Sequence, residues 1–384
     1  MLIFHMIDKH CILKSISLNI EVNGNVTVCC FSNKPYILGN IKTSTIKEIW
    51  TSYKLQEFRK SNSTQAIQHC QSCYDIEEKG SKSWRLRVNE SHRNNSNNSL
   101  TLNIRFSNRC NFKCRTCGPD LSSSWRSEIK KNTNRTSTNV ITSYKPDNPI
   151  SVQILDVLNE VNCIYFAGGE PLLDPDHIET LRVISNNIPN IQVKYSTNLS
   201  TLEFNQIKFI PLWRKIKNLE FKVSLDGYGL VGEYIRKGLN WNSLLMNWNT
   251  LKVELPHAKL KIDITLSTYN CLHIIDLLNE VKRNNSFGVN LDDFVNIYIA
   301  YGPSIISISS MSQDLKKLVI SKYNNYISQS NYLKINSQLK DAINLMINSN
   351  EDLSKDFNIY NFKLDKIRKE SLKKTLPQVF INNL

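Results

Sequence analysis

No apolar run in this chain approaches the twenty or so residues that a membrane-spanning helix needs. The opening stretch, Met1 to His10, is interrupted by charges and lacks the continuous apolar segment of a secretion signal. These absences argue against a membrane partner or export and predict a cytoplasmic protein. Acidic residues are in deficit: 34 Asp and Glu face 48 Lys and Arg, a formal charge of +14. Such an excess suits an anionic partner without specifying one. Over the first 130 residues the basic side chains are not clustered with interleaved aromatics, so nucleic-acid binding is not expected. The one denser basic run, Lys363 to Lys374, reads as a solvated helix face.

What is present is a globular composition: 384 residues, 41% hydrophobic and 21% charged. That is enough for a sizeable core, in two domains or one large domain with an appendage. Ten cysteines stand out. In a reducing compartment they are available to metals rather than paired as disulfides. Three of them, Cys110, Cys114 and Cys117, are spaced Cys-x3-Cys-x2-Cys directly after the alternating run Leu102, Ile104, Phe106. Thiolates are soft ligands that suit zinc or iron–sulfur clusters. A cubane cluster normally takes four cysteines, so three leave one metal position open. An open position marks a catalytic rather than a structural site. Downstream, Cys163-Ile-Tyr-Phe-Ala-Gly168-Gly169-Glu170-Pro171 reads as a strand ending in a small-residue turn with one carboxylate.

These two motifs, in this order, resemble the radical S-adenosylmethionine (SAM) enzymes. The resemblance implies that Cys110, Cys114 and Cys117 hold a four-iron four-sulfur (4Fe-4S) cluster. It implies that SAM chelates the fourth iron through its amine and carboxylate, and that Gly168, Gly169, Glu170 and Pro171 form the turn cradling the amino group. An electron donor such as flavodoxin or ferredoxin is implied as a partner, because the cluster must be reduced before it can act.

Residues 1–90 read as a module of their own. Ser15 to Val22 alternates apolar and polar positions, Asn23-Gly24 turns, and Asn25 to Cys29 returns, which is a hairpin signal. Cys11 and Cys29 then fall at the same end of the ribbon. A helix follows with Ser44 as its predicted N-cap, and Cys70-Gln-Ser-Cys73 reads as a tight two-thiolate turn. Four thiolates make a closed site for zinc or for an iron–sulfur cluster, and spacing does not choose between them. The pattern of Cys11, Gly24, Cys29, Leu38-Gly-Asn40, Ile49-Trp50 and Cys70-x2-Cys73 resembles the twitch and SPASM auxiliary-cluster domains, the single-cluster twitch form best. That resemblance implies an auxiliary 4Fe-4S cluster, here in a module that precedes the rest. Of the adjacent pair Cys29 and Cys30, the spacing after Gly24 favours Cys29.

Residues 91–99 are polar and unpatterned, a predicted linker. From Leu100 strands alternate with helices. The predicted strands are 101–106, 163–167, 191–197, 218–225, 259–267 and 294–300. The predicted helices are 120–131, 152–161, 176–187, 202–214, 242–253 and 272–284. Six such units without internal hairpins predict an α/β fold with a parallel sheet over 100–310, and the resemblance selects an open, partial (β/α)6 TIM-type barrel. Residues 311–384 read as helices (315–327 and 335–346) and a basic tail without recognisable chemistry.

The strands are not continuous apolar runs. Leu219, Phe221, Val223 and Leu225 oppose Glu220, Lys222, Ser224 and Asp226, and the other strands alternate likewise. Helices cover the apolar face, so the polar stripe lines a water-accessible lumen. Active residues belong at the C-terminal strand ends, which carry the cysteine loop, Gly168 to Pro171, Asn198, Ser224, Asp226 and Ser267. By resemblance Ser224 and Asp226 face the ribose end of SAM, Asn198 lies alongside, and Arg236 pairs with its carboxylate. Arg105, Lys194, Lys222 and Asp263 are lumen candidates for substrate contact. His177 reads as structural, and Cys163 and Cys271 as packing residues. The function so implied is SAM cleavage to a 5′-deoxyadenosyl radical that takes hydrogen from a peptide, protein or small polar substrate, with the auxiliary cluster assisting an oxidation. The competing class is a non-catalytic zinc protein that binds nucleic acid.

Overall fold

A computed structural model describes residues 10–379, apart from 33–34, 61–63, 79, 93–98, 134–139, 285–286 and 288–289. The opening residues before His10 and most of the 91–99 linker therefore lie outside the described residues. In chain order the strands are β1 (Ser17–Ile20), β2 (Asn25–Thr27), β3 (Gly39–Asn40), β4 (Leu100–Arg105), β5 (Lys113–Cys114), β6 (Val161–Ala167) and β7 (Gln192–Thr197). Then follow β8 (Glu203–Phe204), β9 (Ile207–Lys208), β10 (Asn218–Ser224), β11 (Arg236–Lys237), β12 (Lys259–Leu266) and β13 (Val295–Ile299).

Nine of them form one sheet in the order β13-β12-β10-β7-β6-β4-β1-β2-β3. The six from β4 to β13 run parallel, as the alternating pattern requires of an open α/β barrel. Their side chains divide as the two-residue period dictates. Leu102, Ile104, Ile164, Phe166, Val193, Tyr195, Phe221, Val223, Ile262 and Ile264 are buried on the outer face, under the helices. Arg105, Lys194, Ser196, Lys222, Ser224, Asp263 and Thr265 remain partly exposed on the inner face. The lumen balances its own charge in part. Lys261 pairs with Glu220 at 3.0 Å, Asn296 donates to Asp263 at 2.7 Å, and the Lys222 ammonium lies 5.3 Å from the Tyr165 ring centre.

The N-terminal hairpin joins the barrel sheet directly. β1 pairs in parallel with β4, Ser17 opposite Thr101 through Ile20 opposite Ile104. Pairing covers an edge whose backbone groups would otherwise be open to another chain. The polar face of β1 continues the lumen: Arg105 Nη1 donates to Asn19 Oδ1 at 3.0 Å and to Glu21 Oε1 at 2.9 Å. Phe31 and Trp84 of the same module meet Tyr301 and Tyr298, at 6.0 and 6.4 Å between ring centres, at the far edge strand β13. The module thus bridges the first and last barrel strands.

Several local expectations are corrected. Residues 202–214 do not form one helix. Asn205 and Gln206 take left-handed backbone conformations (φ 49° and 64°) and close the β8–β9 hairpin, after which Pro211 lies in the first turn of a short helix, Ile210–Trp213. The helix expected over 152–161 stops at Leu155, and β6 starts earlier, at Val161. Thr45, not Ser44, caps the module's helix Ile46–Thr51, in a capping box with Glu48. Cys70 and Cys73 sit on a helix, Thr64–Glu78, rather than in a turn, and their spacing keeps both on one face. The basic tail is a third C-terminal helix, Ser354–Arg368, which buries Phe357, Asn361, Leu364, Asp365 and Arg368.

His177 is fully buried in an aromatic layer with Phe106, Phe166 and Phe209. Its Nε2 meets the Tyr195 hydroxyl at 2.9 Å, which also accepts from Trp213 Nε1 at 3.0 Å. Burial lowers its pKa from 6.5 to about 3. Below pH 6.5 the unfolded chain takes up a proton that the folded chain refuses until about pH 3. The neutral histidine's contribution is therefore complete above pH 6.5 and lost as pH falls through that window, by about 1.4 kcal/mol per pH unit. Denaturant midpoints at pH 7.5 and 5.0 should separate more widely for the wild type than for His177→Phe, which cannot titrate.

Candidate metal centres

The cysteine loop starts where β4 ends, and short polar side chains fold it. Asn108 is fully buried and accepts from the Ile141 amide at 2.7 Å while donating to Pro119 O at 3.2 Å. Ser122 and Ser124 donate to the carbonyls of Phe112 and Cys110, each at 2.7 Å. Cys114 lies in β5, paired antiparallel with β11 so that it stands opposite Arg236, and Trp125 Nε1 donates to its carbonyl at 2.8 Å.

The Gly168-Gly169 turn packs backbone to backbone on this loop. Gly169 N donates to Ser107 O at 3.1 Å and Glu170 N to Arg109 O at 2.7 Å. A Cβ on Gly169 would stand 2.3 Å from the Arg109 carbonyl oxygen. Gly168 has φ 120°, where a side chain is strained. Glu170 then ties the turn to the next strand: its carboxylate accepts from Thr197 Oγ1 at 2.7 Å, Asn198 N at 2.6 Å and Leu172 N at 3.2 Å. Burial raises its pKa to about 7 despite these donors. Just beyond, Leu199 holds a left-handed conformation (φ 52°) while fully buried, the kind of strain that surrounding structure must impose.

These elements enclose one cavity of about 210 Å³, lined by Cys110, Cys114, Cys117, Gly168, Gly169, Asn198, Ser224 and Arg236. Eight expected residues, from five separate stretches of the chain, thus share a wall. Thr116, the residue before the third cysteine, lines it too, as do Phe112, Leu121, Ser122, Ser196, Thr197 and Thr265, which had not been singled out. Ser196 and Thr265 were legible as strand-end members of the polar stripe. Asp226 and Pro171 stand behind the cavity. Asp226 is fully buried, with Oδ2 accepting from Arg236 Nη1 at 2.8 Å and Oδ1 from the Thr265 amide at 2.8 Å. Arg236 keeps a buried Nε with no protein partner.

Cys11, Cys29, Cys70 and Cys73 converge on a second cavity, whose wall includes Val28, Phe31, Tyr36, Phe58 and Trp84, with Lys14 and Arg85 at its margin. Cys30 is exposed and outside that wall. Arg85 is held by Glu77 at 2.6 Å.

Two family models match the chain: the iron–sulfur cluster-binding SPASM domain over residues 11–74 and the radical SAM superfamily over residues 104–252. The chain carries a radical SAM domain and, before it, a SPASM domain. No curated protein matches it. Among solved structures it is similar to anSMEcpe with bound AdoMet, at 17% identity and a TM-score of 0.42, covering 60% of this chain and 61% of that one. It is also similar to Streptococcus suis SuiB bound to S-adenosylmethionine, at 17% identity and a TM-score of 0.40, covering 73% and 60%. The chain thus spans less than two thirds of either protein's length.

The donor sets suit the 4Fe-4S clusters and SAM that these families hold. Among the described residues no three His, Cys, Asp or Glu side chains close on a point that would hold a single ion. The cysteines instead frame cavities, three sulfurs in one and four in the other. Burial pushes the thiols of Cys110 and Cys114 up to about 12 and that of Cys11 to about 11. Metal ligation must displace those protons, and Arg236 eases it at Cys114 and Cys117, whose pKa values its charge lowers.

The glycine contact yields a paired prediction. Gly169→Ala should push the cysteine loop off its seat and lower reconstituted iron by about half, leaving the auxiliary cluster. Gly118→Ala, where an added Cβ meets nothing within 4 Å, should keep the full complement. Iron and sulfide analysis of both variants checks this.

Proposed function

We propose that this radical SAM chain takes a hydrogen atom from a peptide, protein or small polar substrate held in the barrel lumen, and that its auxiliary cluster assists a net oxidation. The observation that carries the reading is the single cavity at the C-terminal strand ends. When bound there, the reduced cluster and SAM supply a 5′-deoxyadenosyl radical, an oxidant strong enough for an unactivated carbon.

The chain's own residues bind and orient. Cys110, Cys114 and Cys117 leave one ligand position free for SAM. Backbone at Gly168 and Gly169, made approachable by the missing side chains, takes the amino group, and Glu170 fixes that turn from behind. Arg236 turns its unpaired Nε to the SAM carboxylate while Asp226 holds the other side of the guanidinium. Asn198, Ser224 and Thr265 are hydroxyl and amide partners for the ribose, and Phe112 and Leu121 give the adenine an apolar wall. Burial keeps water from the reacting carbon.

The substrate lies deeper, against Lys194, Lys222 and Asp263. Arg105, already engaged with Asn19 and Glu21, acts more as a wall of the lumen than as a free contact. At the second site Cys11, Cys29, Cys70 and Cys73 complete the auxiliary cluster, leaving no position for substrate, which favours an electron-accepting role. Flavodoxin or ferredoxin would supply the electron to the SAM cluster in a reducing cytoplasm.

Anaerobically reconstituted protein should carry about eight irons and release 5′-deoxyadenosine on reduction with dithionite. Cys114→Ala should abolish that release and retain about four irons. Persistence of 5′-deoxyadenosine in the variant, or stoichiometric zinc without visible absorption in the wild type, overturns the reading. Arg236→Lys should weaken SAM binding about tenfold or more, since an ammonium cannot serve Asp226 and the carboxylate at once; equilibrium binding of SAM measures it.

A further inference from the structure

Outside the matched radical SAM span, the helix Ser354–Arg368 and the turn after it reach back to the cysteine loop through two buried arginines. Arg115, between two of the cysteines, has a fully buried side chain. Its Nε donates to Tyr234 O at 3.2 Å and its Nη1 to Asn361 Oδ1 at 2.9 Å. Its Nη2 donates to Asp365 Oδ1 at 2.5 Å and Glu370 Oε2 at 2.7 Å. Its plane lies 3.7 Å from the Tyr234 ring centre. The acceptors are themselves held: Tyr269 OH donates to Asn361 Oδ1 at 2.8 Å, Tyr234 OH to Asp365 Oδ1 at 2.9 Å, and Leu372 N to Asp365 Oδ2 at 2.6 Å.

On the other side of Cys114, Arg368 binds Glu128 through Nε (3.1 Å) and Nη2 (2.9 Å) and lies 4.5 Å from the Trp125 ring. Glu128 also takes Lys113 at 2.8 Å, and Trp125 is the donor to Cys114 O. Lys237, next to Arg236, pairs with Glu370 at 2.7 Å. Both β5 and β11 are therefore tied to the C-terminal segment.

We infer that residues 354–375 are part of the SAM site, and that Arg115 is a positioning residue that sets the cysteine loop and Arg236 through Asn361, Asp365 and Glu370. This rests on the proposed reading, because the loop it sets is the one that holds the SAM-binding cluster. A guanidinium is suited to this role because its planar fork reaches a carbonyl, an amide and two carboxylates at fixed angles, whereas an ammonium offers a point charge.

Three full-length variants test it: Arg115→Lys, which keeps the charge and loses the fork, and the milder Asp365→Asn and Glu370→Gln. In metal-free protein, hydrogen exchange should rise at least tenfold over residues 110–118 and 234–237 in Arg115→Lys, while residues 11–30 and the sheet stay at wild-type protection. Elevated exchange throughout the chain would mean plain destabilisation and overturn the assignment. After reconstitution, Arg115→Lys and Asp365→Asn should keep the auxiliary cluster but lose the SAM-induced change in the electron paramagnetic resonance signal, or show SAM binding at least tenfold weaker, with Glu370→Gln intermediate. Wild-type exchange, signal and affinity in all three would overturn the inference alone. A wild type with no SAM-responsive cluster would overturn the proposed function beneath it.

Discussion

The three-cysteine cavity depends on two loops that touch through their backbones. The Gly168-Gly169 turn rests on the carbonyls of Ser107 and Arg109, closer than any side chain would permit. The contact follows from the β4–β6 register, which sets Arg105 opposite Ala167 and so releases both loops from the sheet at the same level. Glu170 carries the linkage to β7 through Thr197 and Asn198, and Asp226 carries it across Thr265 to β12. The strand ends around the cavity are therefore joined by backbone bonds between the first two loops and by the buried carboxylates of Glu170 and Asp226 between the others. A shift of any one strand would move the wall as a whole.

Burial makes the site selective and also costly. The three thiols are drier than free cysteine and bind protons more tightly than water-exposed ones would. A buried cation beside them offsets part of this, and Arg236 in turn needs Asp226, because an unpaired guanidinium in the interior is costly. The Nε of Arg236 is buried without a partner, and Arg236 lines the cavity. That unmet donor is what the proposed function assigns to the SAM carboxylate.

Much of this was legible in the sequence because the relevant signals are short. The cysteine spacings and the Gly-Gly-Glu-Pro turn are consecutive residues, and period-two alternation in six segments marked the sheet, its polar lumen and the strand ends. What escaped reading depends on distance or on competition. Arg115 finds its partners 119 to 255 residues away, and nothing local distinguishes it from a surface arginine. The Lys363–Lys374 run looked like a solvated face, yet its helix turns Asp365 and Arg368 inward. The 202–214 segment has helical spacing of apolar residues, but two left-handed residues and a proline favour a hairpin followed by a single turn. Cys70 and Cys73 satisfy a turn motif and a helix face equally well.

The geometry of the first strands also bears on how the two cysteine sites could cooperate. β1 runs parallel to β4 and β2 returns antiparallel, so Cys11 and Cys29 meet the sheet at the end where β4 begins. Cys110 leaves it at the end where β4 finishes. Six strand residues span about 20 Å, and along that length the inward face is Asn103 and Arg105, joined by Ser17 and Asn19 of the module. Aromatic contacts from Phe31 and Trp84 close the opposite edge. Under the proposed function a substrate in the lumen would lie along a polar wall, with the three-cysteine cavity toward one end of β4 and the four cysteines toward the other. In that reading it is the order a net oxidation would need: a hydrogen atom would leave toward one site, and the substrate radical would then lose a proton to solvent and an electron toward the second. In this chain the module that precedes the barrel produces that order, because its first strand pairs in parallel with the edge of β4 and so fixes which end of the lumen the four cysteines occupy.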